Sequence, residues 1–307
     1  MNALADDLFP GTGTDAARRA AARRDAAIGP TDWARVPQRF VRDTVHAPSG
    51  PLARIALGPA TAQRVLLVPG MTGSKEDFLL MMPLLADAGY RVEAFDMAGQ
   101  YESWEAGPER LDPPERRYSR RLFVDDLLAV LETGATPAHV LGYSYAGTVA
   151  ADAALRRPAA FASLTLLSAP PFAGQALRGF KVLGPLSPLV PGRALGPVFV
   201  AALRLNVHRA PADRARFVTD RFRLTRVSSV GDILALMKRT PDLADELRAS
   251  GLPVLVAVGA GDVWREGAHA AFARRLGATF VEIPTGHSPC ETAPHQLTEA
   301  MLAFLRH

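Results

Sequence analysis

The feature that most constrains this chain is a repeated alternation of short apolar runs with stretches of helical periodicity. Residues 64–68 read Arg-Val-Leu-Leu-Val and are ended by Pro69-Gly70. A strand with no polar face belongs in a sheet covered on both sides. Comparable runs recur at residues 91–95, 139–141, 164–167, 253–258 and 280–283. Helical patterns lie between them. Residues 74–87 start at a capping pair, Ser74 and Asp77, stop at Gly89, and carry Pro83, which is expected to bend or split the helix. Phe123, Leu127 and Val130-Leu131 repeat at helical spacing before Gly134. Residues 145–156 end before Pro158, residues 267–276 stop at Gly277, and Leu297, Met301 and Phe304 mark a last helix. The alternation predicts an α/β fold with a mostly parallel central sheet and helices on both faces. Residues 39–46 and 52–57, around Pro48-Ser49-Gly50-Pro51, predict an antiparallel hairpin ahead of it.

Two segments break the alternation. Residues 1–36 are polar and alanine-rich and form an N-terminal lead segment, with a helix over 15–27 between an N-cap at Thr14 and a stop at Gly29-Pro30. Residues 171–242 hold no convincing strand. They carry Pro171, Pro185, Pro188, Pro191, Pro197 and Pro211 among apolar stretches such as residues 198–203. They read as a helical insertion over the sheet edge, leaving residues 37–170 and 243–307 as one core domain. A chain of 307 residues has room for a single α/β domain with such an insertion.

Composition narrows the function classes. The single cysteine, Cys290, allows neither an internal disulfide nor a Cys/His zinc cluster. Net charge is only +4, lysine occurs only at Lys75, Lys181 and Lys238, and no basic stripe interleaves with aromatics, which argues against nucleic acid as a partner. Arg18, Arg19, Arg23 and Arg24 are followed by no continuous apolar segment, so no signal peptide is expected. No run reaches bilayer length. The expectation is a cytoplasmic protein acting on a small molecule, with neither nucleic acid nor membrane as partner. A homodimer stays open.

The residues that suggest chemistry sit where strands end. Ser144 directly follows the strand 139–141 region and precedes a helix, in Gly142-Tyr143-Ser144-Tyr145-Ala146-Gly147. A sharp strand–turn–helix needs small neighbours, and a helix N-terminus favours developing negative charge. Taken alone, the pattern is also that of a serine in an ordinary βα turn. A serine hydroxyl needs a base, and the base an orienting acid. Asp262 follows the strand 253–258 and His287 follows the strand 280–283, both at the C-terminal ends where open parallel sheets bind ligands. Asp96, which also ends a strand, competes with Asp262, and Glu291 lies closer in sequence to His287 but suits a helix start. His139, His208, His269, His295 and His307 fall in strands, helices or the chain end. Oxyanion donors would be the backbone N–H of Tyr145 and, from Pro69-Gly70-Met71-Thr72-Gly73, that of Met71. Gly70, Tyr143 and Trp264 flank these positions as candidate substrate contacts.

Together these pieces resemble the α/β-hydrolase superfamily from about residue 39 to the end, the insertion apart. The matching segments are Val-Pro-Gly-Met-Thr-Gly at 68–73, the elbow at 142–147, Gly-Ala-Gly-Asp at 259–262 and Gly-His-Ser-Pro at 286–289. Residues 96–103 resemble the family loop D-x-x-G-x-G-x-S, with Gln100-Tyr101 departing from its second half. The His-Gly usual in the oxyanion loop is replaced by Pro69-Gly70. The resemblance implies a serine-nucleophile, cap-bearing branch, with residues 171–242 as the cap and no metal or organic cofactor. Ser144 stands where epoxide hydrolases and haloalkane dehalogenases of this fold carry aspartate.

The implied reaction is hydrolysis of a carboxylic ester, lactone or thioester of a hydrophobic small molecule through an acyl-enzyme. Acyl transfer, carbon–carbon bond hydrolysis, or cap-gated binding without turnover would use the same elbow. The apolar residues Phe172, Phe180, Val198, Phe199, Val200 and Phe217 fit either a substrate pocket or the cap's own core. Arg221, Arg223 and Arg226 suit either a substrate anion or a solvated helix face.

Overall fold

In a computed structural model, residues 15–179, 181, 197, 201 and 212–306 are described. The eight strands are β1 Val41–Ala47, β2 Gly50–Leu57, β3 Arg64–Val68, β4 Arg91–Phe95, β5 Ala138–Tyr143, β6 Phe161–Leu167, β7 Val254–Gly259 and β8 Thr279–Ile283. They form one sheet in the order β1-β2-β4-β3-β5-β6-β7-β8. β1 and β2 pair antiparallel around a two-residue turn, Pro48-Ser49, since Ala47 faces Gly50. β2 pairs antiparallel with β4, and every later pairing is parallel. The expected architecture and hairpin are therefore present.

The helices are α1 Asp15–Ala26, α2 Met82–Asp87, α3 Arg120–Glu132, α4 Tyr145–Arg156, α5 Ala212–Arg221, α6 Val227–Met237, α7 Ala244–Ser250, α8 Ala268–Leu276, α9 Pro289–Thr292 and α10 Pro294–Leu305. Of the two outcomes expected for residues 74–87, a bend or a split, the structure has the split. A 3-10 turn over Lys75–Phe78 is followed by α2, and Pro83 sits in its first turn. There its missing N–H costs nothing and its fixed φ suits helix initiation.

Period-two alternation divides the core. Leu66 and Val68 of β3, Val140 of β5 and Val256 of β7 face one layer, with α3, α4 and α6. Val65, Leu67, Leu141 and Leu255 face the other, with Met82 and Leu85 of α2 and Leu297 and Met301 of α10. Covering both faces leaves the C-terminal ends of the parallel strands as the place where loops converge.

The lead segment docks through α1, while Thr14, its expected N-cap, lies outside the described residues. Asp25 Oδ1 accepts from His295 N at 2.8 Å and from His295 Nδ1 at 2.8 Å. Its Oδ2 accepts from Gln296 N at 3.1 Å and Gln296 Nε2 at 2.9 Å. The residue at the N-cap of α10 is Ala293, which has no side-chain acceptor. Asp25 thus supplies from a distant segment the acceptor and negative charge that a helix start needs.

The segment 171–242 is described in part, as the 3-10 turn Ala176–Gly179, α5 and α6. Phe180, Val198, Phe199, Val200 and His208 lie outside the described residues. α6 is tied to the loop after β4 by Arg226 N donating to Gly99 O at 2.8 Å and Ser229 Oγ to Ala98 O at 3.2 Å. No described helix is long and apolar enough to cross a membrane.

If Asp25 is the distant cap of α10, Asp25→Ala lowers unfolding stability by about 1–2 kcal/mol. Urea unfolding monitored by circular dichroism measures it, and an unchanged midpoint contradicts the capping role.

Candidate active site

Ser144 occupies the junction between β5 and α4 with φ 53° and ψ −125°, a conformation costly for a residue with a Cβ. Its N–H donates to Leu167 O of β6 at 2.8 Å. Strand and helix close tightly around it. A Cβ on Gly142 would stand 2.5 Å from Ala146 O, and one on Gly147 would stand 2.4 Å from the Ala169 Cβ. The small residues of the elbow are thus a packing requirement.

His287 Nε2 lies 3.2 Å from Ser144 Oγ, and its Nδ1 lies 2.6 Å from Asp262 Oδ1. An ionised Asp262 accepts only, so Nδ1 carries the proton and Nε2 offers its lone pair to the serine. Burial acts to raise the Asp262 carboxyl, but its hydrogen bond and electrostatic attraction to His287 outweigh burial and hold it below the usual carboxylate range. Asp262 is 3% exposed, whereas the His287 side chain is 28% exposed. Asp262 is shielded and His287 is reachable.

The two loops carrying Asp262 and His287 are zipped together. Ala260 N donates to Ile283 O and Gly261 N to Thr285 O, both at 2.8 Å. Tyr143, just before Ser144, places its hydroxyl 2.7 Å from the Oγ of Ser288, just after His287, and its ring centroid is 5.4 Å from the imidazole.

A Cβ on Gly70 would lie 3.0 Å from the Ser144 Cβ, so the loop after β3 runs directly beside the elbow. A turn is closed by Gly73 N donating to Gly70 O at 2.9 Å. Thr72 N donates to Gln100 Oε1 at 2.6 Å. The Met71 N–H has no acceptor among the described residues. The Tyr145 N–H begins α4 and has no intrahelical acceptor. Both candidate oxyanion donors are therefore uncommitted.

The competing acids are engaged elsewhere. Asp96 is fully buried and accepts from Lys75 N at 2.7 Å, Lys75 Nζ at 3.0 Å and Glu102 N at 3.2 Å. Burial pushes its carboxyl up to about 7, against the pull of Lys75. Glu291 accepts from Arg214 Nη2 at 2.6 Å. Among the other histidines, His139 meets Ser163 Oγ, His269 meets Ala169 O and His295 meets Asp25. Sequence reasoning sets Tyr143 and Trp264 against substrate. Both are buried, at 6% and 1% exposure, and each spends its polar atom on the protein, Trp264 Nε1 donating to Ser168 O at 3.1 Å. The Tyr145 ring packs edge-on against Phe123 in the core.

A buried charge cluster lies next to this site: Arg221, expected to meet a substrate anion or to solvate a helix face, is instead buried and paired with Asp77, and Arg214, which sequence reasoning did not single out, joins it. From α5, Arg214 Nη2 and Arg221 Nη1 both donate to Asp77 Oδ1, at 2.8 and 2.7 Å. Arg214 also reaches Glu291, and Arg221 reaches Ser74 Oγ at 3.1 Å. The spacing of seven residues, which puts both arginines on one helix face, was the available signal.

Several known proteins are similar to this chain. A putative carbamate hydrolase, RutD, of Variovorax paradoxus (strain S110) is 35% identical over 113 residues, which are 36% of this chain and 40% of that relative. This chain thus matches well under half of that protein's length. A hydrolase from Pseudomonas aeruginosa PA01 superposes with a TM-score of 0.68 at 21% identity, over 87% of this chain and 98% of the other. A thioesterase domain from the curacin biosynthetic pathway superposes at 0.64 and 17% identity, over 86% and 98%. At such identities the superpositions speak for the fold. The sequence profile of the alpha/beta hydrolase family matches residues 65–300, and the chain belongs to that family.

Proposed function

We propose that this protein is a serine hydrolase that cleaves a carboxylic ester, lactone or thioester of a hydrophobic small molecule through an acyl-enzyme. The observation that carries the reading is the unbroken line from Ser144 Oγ through His287 to Asp262, with links of 3.2 and 2.6 Å.

The steps follow from the groups present. His287 Nε2 takes the Ser144 proton as Oγ attacks the substrate carbonyl carbon, and the imidazolium is stabilised by the ionised Asp262. Charge develops on the carbonyl oxygen, where the Met71 and Tyr145 N–H groups and the N-terminus of α4 receive it. His287 then returns the proton to the leaving group, expelling an alcohol or thiol. Water, deprotonated by the same imidazole, releases the acid. The partial likeness to a carbamate hydrolase adds carbamates to the candidate substrates, since the attacked carbon is again an acyl carbon.

Residues 171–242 act in this reading as the cap over residues 37–170 and 243–307. Its support is the anchoring of α5 through Arg214 and Arg221, and of α6 through Arg226 and Ser229, onto the loops after β3 and β4. Gly70 borders the substrate side of the elbow, where a side chain would press on Ser144.

A fluorophosphonate probe is expected to label the wild-type protein and not Ser144→Ala. Hydrolysis of p-nitrophenyl butyrate should fall by about 10⁴-fold or more in that variant. Labelling that survives the substitution reassigns the nucleophile, and a wild type that neither labels nor turns over removes the hydrolase reading.

The acid is tested separately. Asp262→Asn should lower kcat by about 10³–10⁴-fold, because the imidazole loses the carboxylate that orients and stabilises it. Asp96→Asn, which alters a carboxyl bound to Lys75, should cost far less. The reverse ranking in steady-state kinetics would move the role of acid to Asp96.

A further inference from the structure

We propose that Gln100 is a positioning residue that holds the oxyanion turn in its working shape through the Thr72 N–H. The inference rests on the hydrolase reading of the same site.

The turn over Gly70-Met71-Thr72-Gly73 needs such a support. Thr72 is its third residue and sits at φ 64°. That position suits glycine or asparagine, and a β-branched threonine is a poor occupant. The turn closes through Gly73 N donating to Gly70 O, and the Thr72 N–H is held by Gln100 Oε1 at 2.6 Å. Fixing the Met71–Thr72 peptide within a closed four-residue turn leaves the adjoining Gly70–Met71 peptide little freedom. That second peptide carries the N–H assigned to the oxyanion.

Gln100 is itself fixed. It is fully buried, its N–H donates to Met97 O, and its carbonyl accepts from Ser103 N, both at 3.0 Å. The same loop grips the far side of the turn, where Asp96 Oδ1 accepts from Lys75 N. The carboxamide orientation is dictated, because only its oxygen can accept from an N–H. The consequence is that Gln100 Nε2 is buried without a partner. A leucine of similar size would avoid that cost. The oxygen is the part of the side chain with a task, and the task is at Thr72. Gln100 stands where the family loop leaves its residue type open, and the position that departs from the loop is the next one, Tyr101 at φ 43° in place of glycine.

Gln100→Leu is the test variant, assayed with p-nitrophenyl butyrate and with a fluorophosphonate probe. A loosened oxyanion donor should lower kcat by about 10- to 100-fold with KM within about threefold, and probe labelling should slow in parallel. Thr72→Gly in the Gln100→Leu background should recover part of the loss, since glycine adopts the turn conformation unaided. A wild-type kcat in Gln100→Leu overturns the inference while the hydrolase reading stands. So does a rise in KM at unchanged kcat, which would make Nε2 a substrate contact. Loss of kcat with an equal loss of thermal stability and no recovery in Thr72→Gly also overturns it, as a packing defect. A wild type inert to both reagents overturns the hydrolase reading, and this inference with it.

Discussion

The backbone of Ser144 is the constraint on which the site depends. Its positive φ aims the side chain out of the β5–α4 junction and starts the helix immediately at Tyr145. Such a conformation costs about 1–3 kcal/mol and persists only where the surroundings over-determine it. Here they do so from three sides. The Ser144 N–H is held by Leu167 O of the neighbouring strand, and Gly142 packs against the first turn of the helix. Gly147 packs in turn against Ala169 beyond β6. The free N–H at Tyr145 follows from the same geometry, so the proposed nucleophile and the proposed oxyanion donor both follow from one strained residue.

Buried charge does for the surrounding loops what hydrogen-bond registry does for the strands. Asp77 follows the turn at residues 70–73, Glu291 follows His287, and α5 lies across both through Arg214 and Arg221. Taking such groups out of water costs several kcal/mol each, and their attraction rarely exceeds that by much. Their value is directional. A misplaced α5 would leave Asp77 buried and unpaired, so few alternative placements are tolerable. Trp33 from the lead segment stacks on Arg214, with the guanidinium carbon 4.7 Å from the ring centroid. Through Trp33 the lead segment thus reaches the helix that spans the loops around the site.

What was legible in the sequence was whatever depends on local pattern. β7, and β3 after Arg64, are apolar because both faces of the sheet are covered, and such runs need no tertiary knowledge to recognise. Ser144, Asp262 and His287 each follow a strand, so topology alone aims them at one edge. What was not legible depends on partners far away in the chain. Asp25 caps a helix 270 positions later, and Gln100 supports a turn 28 positions earlier. Tyr143 flanks the serine and so reads as a substrate contact, but its ring continues the inward face of β5 and its hydroxyl meets Ser288. Pro83 reads as a helix breaker until the preceding 3-10 turn shows that the helix begins beside it.

Gly259 shows how such distant contacts set the geometry of the site. In sequence it is one glycine of a turn, Gly259-Ala260-Gly261. In space a Cβ there would stand 1.9 Å from Gly286 O and 2.6 Å from Thr285 O. No rotamer change relieves a clash with backbone, so a side chain at 259 must displace the segment 285–286 and, with it, His287. The 2.6 Å link to Asp262 and the 3.2 Å link to Ser144 diverge from one imidazole, so any displacement of the ring disturbs at least one of them. The end of β7 thus acts as a spacer, and the strand that carries Asp262 determines where His287 can stand.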